Sequence, residues 1–194
     1  MSRRILASID IQALFLSCRE EYGPLARVDF VKLMALFSKN QGADTIVDPI
    51  AYILASPLHD DRNFVRFLKK LGYITMRKSA QISTQEDNQQ KVKGKSWSDS
   101  MVWESLKIID RYDEIFIVSG NGGFCSVAKA AKAAGKKVTV VSFQSSLQSQ
   151  LSSLADEVIY IDKELIFDSS AFKAKRDAER AVNENVGKPE FPQA

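Results

Sequence analysis

The segment from Asp113 to Ser142, DEIFIVSGNGGFCSVAKAAKAAGKKVTVVS, constrains the fold of this chain more than any other. An apolar run leads into the glycine-rich turn SGNGGF, a stretch rich in small residues follows, and a second apolar run ends the segment. Short continuous apolar runs on either side of a helix are typical of buried, parallel strands. The segment therefore predicts an α/β protein with a mainly parallel central sheet.

The same alternation runs through most of the chain. Further strands are predicted at RILASID, DPIAYILAS, YITMRKS and DEVIYID, and helices at IQALFLSCREEYG, VDFVKLMALFSKNQG, DDRNFVRFLKKLG and DSMVWESLKIIDRY. The pattern predicts a three-layer α/β domain over residues 1–166. The polar run Ala80 to Ser98 is predicted to be a loop, and the charged residues 167–194 a partly helical or disordered C-terminal extension.

The amino-acid composition limits which classes of function the chain can have. The chain has 27 basic and 24 acidic residues, a net charge of +3, so nucleic-acid affinity must come from a local basic patch. Two cysteines, Cys18 and Cys125, make no disulfide framework and indicate reduced thiols in a cytoplasmic protein. A single histidine, His59, argues against a histidine-based zinc site. Asp10 interrupts the N-terminal apolar run and no run could span a bilayer, which predicts a soluble protein without membrane contact.

Polar residues follow several predicted strands. Asp10 ends the first strand, Arg77 and Lys78 end the third, and Ser119 and Asn121 follow the fourth. Ligands of open α/β sheets bind at the carboxyl ends of the strands. We therefore expect these side chains to line one rim of the sheet.

The polar run also interleaves basic and aromatic residues: Lys91, Lys93, Lys95 and Trp97. Lysines neutralise phosphates and aromatic rings stack on bases in single-stranded RNA recognition. With Arg77, Lys78 and Ser119, these residues form a predicted RNA-binding rim. The alternatives are a solvated charged loop and a Trp97 side chain that packs in the core.

Several segments together resemble a known family. In order they are ASIDIQAL, AYIL, FVRFLKKLGYITMRK, DEIFIVSGNGGF, AKAAGKKVTVVS and LADEVIYID. They resemble the NYN domains, including the LabA-like group, of the PIN-like nuclease superfamily, over roughly Arg4 to Asp162. The resemblance implies a PIN-like fold and an endoribonuclease that uses Mg²⁺ or Mn²⁺ held by clustered aspartates.

The acidic residues implied by the resemblance are only partly present. Asp10 matches the family's first aspartate and Asp99 its mid-domain aspartate, while Ser105, with Glu104 beside it, stands where a further acid is common. The usual signature SGDGDF is here SGNGGF, so Asn121 and Gly123 replace two aspartates. We expect Asp10 and Asp99 to hold at most one weakly bound Mg²⁺ or Mn²⁺ with Asn121 as a neutral ligand, and catalysis to be weak or lost.

Other readings of these residues stay open. Asp10 and Asp99 are also suitable helix N-caps. The turn that contains Ser119 and Asn121 would suit a phosphosugar or a nucleotide, because helix N-termini bind anions. A non-catalytic protein-interaction module is a further alternative, in which residues 167–194 bind a protein partner or a second copy of the chain.

Overall fold

A computed structural model describes residues 2–39, 44–55, 60–79, 81–84, 90–93 and 97–168. For residues 81–84, 90–93, 97–99 and 168 it describes the backbone alone. The predicted extension therefore lies almost wholly outside the described residues, and the domain boundary after Ile166 stays a prediction.

The central sheet has six strands in the order β4-β3-β1-β7-β8-β9, and every neighbouring pair is parallel. Parallel strands are buried on both faces, which explains the continuous apolar runs in the sequence. The prediction of a mainly parallel sheet is confirmed. The strands are β1 (Arg4–Asp10), β3 (Ile46–Ala55), β4 (Ile74–Ser79), β7 (Glu114–Val118), β8 (Lys137–Ser142) and β9 (Glu157–Tyr160).

Helices cover both faces and give the three layers. On one face α1 (Ile11–Tyr22), α2 (Phe30–Ser38) and α3 (Arg62–Lys70) pack on alternate strand residues such as Ile9 and Phe116. On the other face α4 (Trp97–Ile108), α5 (Cys125–Ala133) and α6 (Ser149–Ser152) pack on the intervening residues, such as Leu6 and Ile117. Cys18 and Cys125 are both buried in these cores as free thiols.

Two small antiparallel pairs lie outside the central sheet. One joins β2 (Ala26–Val28) to β10 (Ile166–Asp168), and the other joins β5 (Gln81–Thr84) to β6 (Gln90–Lys93). The second pair lies in the polar run that the sequence predicted to be a loop, and this prediction is wrong for these residues. Strand pairing needs only backbone hydrogen bonds, so a polar composition does not prevent it.

The helices that follow the neighbouring strands β1 and β7 lie on opposite faces of the sheet. The chain leaves β1 through α1 onto one face, whereas it leaves β7 through a short 3₁₀ turn (Gly122–Phe124) and α5 onto the other face. Such a reversal opens a crevice at the carboxyl ends of the two strands. Within the described ranges, no helix is both long enough and apolar enough to cross a membrane.

Candidate functional site

The crevice between β1 and β7 brings two of the predicted site segments together. Ile9 pairs with Val118, so the next residues along the two strands, Asp10 and Ser119, are neighbours at the sheet edge. Adjacent strands lie only about 4.8 Å apart. The structure therefore places Asp10 beside the SGNGGF turn, as expected from the strand pattern.

Asp10 is a buried carboxylate, with only 7% of the residue exposed. Its Oδ1 accepts a hydrogen bond of 3.0 Å from the backbone amide of Ala13, so it caps α1 as one reading of the sequence predicted. Burial raises the pKa of Asp10 above its ordinary value, and backbone hydrogen bonds from Ala13 and Gln12 oppose that shift. A cation bound in the crevice would stabilise the charged form of this group.

The turn after β7 is held by its own polar side chains. Ser119 Oγ accepts a hydrogen bond of 3.3 Å from the Asn121 amide, and Asn121 Oδ1 accepts one of 2.8 Å from the Gly123 amide. Asn121 is thus the N-cap of the 3₁₀ turn, a position where aspartate serves equally well. The fold therefore keeps the shape of the turn although the charge is absent.

The loop after β8 packs on the same turn. A Cβ atom on Gly120 would lie 2.2 Å from the carbonyl oxygen of Ser146, and one on Gly122 would lie 2.2 Å from Gln148 Oε1. The Gln148 amide also donates to the Gly120 carbonyl at 3.0 Å. Gln148 is a site residue that the sequence did not reveal, because only the tertiary packing brings it to the turn.

Buried hydroxyl groups lie on the same sheet face as Asp10. Ser8 Oγ and Ser105 Oγ are 2.8 Å apart in a hydrogen bond between β1 and α4, and both residues are fully buried. Burial raises the pKa of Tyr52 to about 12, although hydrogen bonds with Ser105 and Ser8 act to lower it. Ser105, where the family resemblance implies a further acid, is therefore part of a neutral cluster, while Glu104 forms an ion pair with Lys107.

The two basic residues of β4 lie on opposite faces of the sheet. Arg77 forms an ion pair with Asp61 at the start of α3, whereas Lys78 Nζ donates to Ser100 Oγ of α4 at 3.3 Å. Successive strand residues alternate between faces, and a shared RNA-binding role for the two residues stays a prediction. Lys78, and not Arg77, lies on the α4 side with Asp10.

The remaining predicted site residues are described only in part. The backbones of Lys91 and Lys93 lie in β6, and those of Trp97 and Asp99 lie in the first turn of α4. Asp99 is therefore inside the helix rather than before it. Lys95 lies outside the described residues.

The described oxygen atoms form a sparse ligand set. Among the described side chains, no group of three or more His, Cys, Asp or Glu residues could hold a metal ion. Asp10 offers a carboxylate, Asn121 an amide oxygen and Ser119 a hydroxyl, which are the hard ligands that Mg²⁺ accepts. These oxygen donors suit at most a single ion, and they are too few for a two-metal centre.

Comparisons with known proteins support the fold. A search of curated proteins finds no match. A solved structure of a protein of unknown function from Vibrio parahaemolyticus RIMD 2210633 superposes with a TM-score of 0.71 at 24% identity, covering 86% of this chain and 97% of that one. Acinetobacter baumannii MurG superposes with a TM-score of only 0.43 at 13% identity, over 87% of this chain and 44% of that one, which is too remote for an argument.

The family profile of the NYN domain matches residues 4–162. That range extends from the first residue of β1 to just beyond β9, so it contains the whole central sheet and the crevice between β1 and β7. The chain belongs to the NYN domain family.

Proposed function

We propose that this protein binds RNA in the crevice between β1 and β7 and is a nuclease-like protein with a degraded metal site. The proposal depends above all on the position of Asp10, a buried carboxylate at the topological switch point of an NYN domain. Ligands of such sheets bind at that point. Any residual activity is endonucleolytic cleavage of RNA that requires Mg²⁺ or Mn²⁺.

The chain's own residues have distinct parts in this proposal. Asp10 and Asp99 hold the metal ion and Asn121 adds a neutral oxygen. When bound, the ion supplies a water of lowered pKa and neutralises charge at phosphorus. Lys78 and the lysines of β6 neutralise the RNA backbone.

Weak catalysis follows from the missing charge. Asn121 and Gly123 stand where the family resemblance implies aspartates, and Ser105 is hydrogen-bonded to Ser8. Each 1.36 kcal/mol of lost transition-state stabilisation costs about tenfold in rate. Loss of two metal-positioning carboxylates thus leaves cleavage slower by several powers of ten, while phosphate binding by lysines is unaffected.

A cleavage time course on labelled single-stranded RNA tests the catalytic half of the proposal. The wild type, Asp10→Ala and the surface control Glu20→Ala are incubated with Mn²⁺, Mg²⁺ or EDTA. We expect slow, metal-dependent cleavage that Asp10→Ala loses and Glu20→Ala keeps. Cleavage that persists in Asp10→Ala or in EDTA would contradict the assignment of Asp10 and the metal.

RNA retention at increasing salt tests the binding half. Phosphate contacts give an affinity that falls linearly on a log–log plot, with a slope of about −0.7 per contact for single strands. Lys78→Gln is expected to weaken binding and to make the slope shallower. An affinity that does not change with salt would refute RNA binding through phosphates.

A second candidate function is a non-catalytic protein-interaction module. It is favoured by one observation, the lack of an acidic or histidine cluster among the described side chains. Such a module would retain no RNA at any salt concentration. Sedimentation of the full chain and of a variant that ends at Asp168 would then show whether residues 169–194 mediate self-association.

A further inference from the structure

A groove lies at the amino ends of the strands, at the opposite edge of the sheet from the crevice. Residues of β7, β8, β9, the end of α2 and the segment before β1 line a cavity of about 370 Å³. Small-molecule sites are commonly about 300–1,000 Å³, so the groove can hold a small ligand. It shares no lining residue with the site proposed for RNA.

The floor of the groove is apolar. Phe116 of β7 is almost completely buried in the core, and Leu36 of α2 and Ile159 of β9 are half-buried around it. Apolar surface removed from water contributes roughly 25 cal/mol per Å². This floor therefore favours a ligand with a compact apolar body.

Four of the charged groups near the groove neutralise one another. The fully buried Glu114 accepts hydrogen bonds from Arg3 at 2.6 Å and from Thr139 at 2.8 Å, and Lys137 Nζ lies 3.2 Å from it. Lys137 also donates to Glu157 at 2.7 Å. Two cations and two carboxylates thus balance in charge at the rim of the groove.

Lys39 gives the groove an excess of positive charge. It is the C-cap of α2, its side chain lines the groove, and it is exposed. Within the described part of the chain it forms no ion pair. An uncompensated ammonium group at the edge of an apolar floor is complementary to an anion that carries an apolar body.

We propose that this groove binds a small organic anion, whose carboxylate or phosphate pairs with Lys39 while an apolar ring covers Leu36, Phe116 and Ile159. The apolar floor provides affinity, and Lys39 selects for negative charge. This site is independent of RNA binding at the opposite edge of the sheet.

Thermal unfolding with four probes tests the proposal. Phenyl phosphate and benzoate carry both the ring and the charge, inorganic phosphate carries the charge alone, and benzyl alcohol carries the ring alone. We expect one or both ring-bearing anions to raise Tm, whereas the two partial probes have no effect at equal concentration. The anion that raises Tm shows whether the groove prefers a carboxylate or a phosphate. At a free ligand concentration of about ten times Kd, the ratio of folded to unfolded protein rises about elevenfold.

Three variants locate the binding. Lys39→Gln removes the charge and should abolish the rise in Tm, Lys39→Arg should keep it, and the exposed control Lys129→Gln should behave as the wild type. In the wild type, binding should also shift the NMR amide resonance of Ile159. An equal Tm rise in Lys39→Gln, an equal rise with benzyl alcohol, or no rise with either anion would overturn the proposal.

Discussion

Asp10 caps α1 and, in the proposed function, binds a metal ion, and these two roles differ in the charge that they require. As the N-cap of α1 it needs only an oxygen that accepts from Ala13, whereas as a metal ligand it needs a negative charge. Burial raises its pKa, so the charged form is disfavoured in the folded protein. A folded-state pKa above the unfolded value means that stability is greatest when Asp10 is protonated and falls as the pH rises through the folded-state pKa.

Asp10→Asn should therefore stabilise the metal-free protein at neutral pH. The amide oxygen keeps the cap and removes the buried charge, for a gain of below about 2 kcal/mol, as is usual for a stabilising substitution. Asp10→Ala also removes the cap and should be less stable than Asp10→Asn by about 1 kcal/mol. Urea unfolding of the three proteins measures both differences.

The pH dependence provides the control for this prediction. The advantage of Asp10→Asn over the wild type should be smallest near pH 3.8, the ordinary pKa of aspartate, and should widen as the pH rises. An Asp10→Asn protein that is less stable than the wild type at pH 7 would mean that the carboxylate is stabilised by a cationic partner.

At the scale of elements, the SGNGGF turn and the loop after β8 form one packed unit. A side chain at Gly120 would meet the backbone of Ser146, which cannot move without the loop, whereas one at Gly122 would meet only the side chain of Gln148. Gly120→Ala should cost about 3 kcal/mol and Gly122→Ala about 1 kcal/mol.

A double-mutant cycle tests this packing. Gln148→Ala should remove most of the cost of Gly122→Ala, because the colliding atoms are gone, and leave the cost of Gly120→Ala unchanged. Additive costs for Gly122→Ala and Gln148→Ala in urea unfolding would show that the Gln148 side chain does not cover the turn.

α4 places Ser105 where the family resemblance implies a further acid. Ser105 is fully buried against Ser8, so an acid cannot be restored there without burying a charge beside neutral hydroxyls. Ser105→Asp should destabilise the protein by about 3 kcal/mol or more at pH 7. Glu104→Gln, which breaks only an exposed pair with Lys107, should cost less than about 1 kcal/mol.

Urea unfolding without metal compares the two α4 variants. A Ser105→Asp protein as stable as the wild type would show that the hydroxyl cluster readily accepts a carboxylate. The neutral cluster would then not be a barrier to an additional acid.

The elements that the sequence predicted well are those with strong local patterns. The inner strands β1, β3, β7 and β8 carry apolar runs, and Asp10 is a typical N-cap, so both were predictable. β5 and β6 form a local pair, but their polar composition gives no apolar strand pattern. β2 and β10 are short and depend on pairing with a distant segment, which leaves little local pattern. For the same reason the approach of Gln148 to Gly122 could not be predicted.

At the scale of the whole molecule, strand order decides which predicted residues meet. The sequence placed several polar residues at strand ends, but only the order β4-β3-β1-β7-β8-β9 shows that β1 and β7 are neighbours. That order places Asp10 beside Ser119 and leaves Lys78 two strands from β1. The separation of Arg77 from Lys78 follows from strand alternation, which the predicted strand YITMRKS already implied.

The two edges of the sheet have different charge patterns. At the carboxyl edge, Asp10 is a buried carboxylate among neutral hydroxyl and amide groups. At the amino edge, Glu114 is equally buried but is paired with Arg3 and Lys137. The fold therefore compensates one buried acid with cations, whereas no described side chain forms an ion pair with Asp10.

Restoration of charge to the turn tests this account most directly. In Asn121→Asp/Gly123→Asp the first change keeps the N-cap, and the second is at an exposed position whose φ is not positive. The measurement is the rate of Mn²⁺-dependent cleavage of single-stranded RNA by the wild type and the double variant, with Asp10→Ala added to each. We predict a gain of at least about tenfold in the double variant, equivalent to 1.36 kcal/mol, that Asp10→Ala abolishes. A double variant that folds, binds RNA as the wild type does and shows no metal-dependent gain would contradict it.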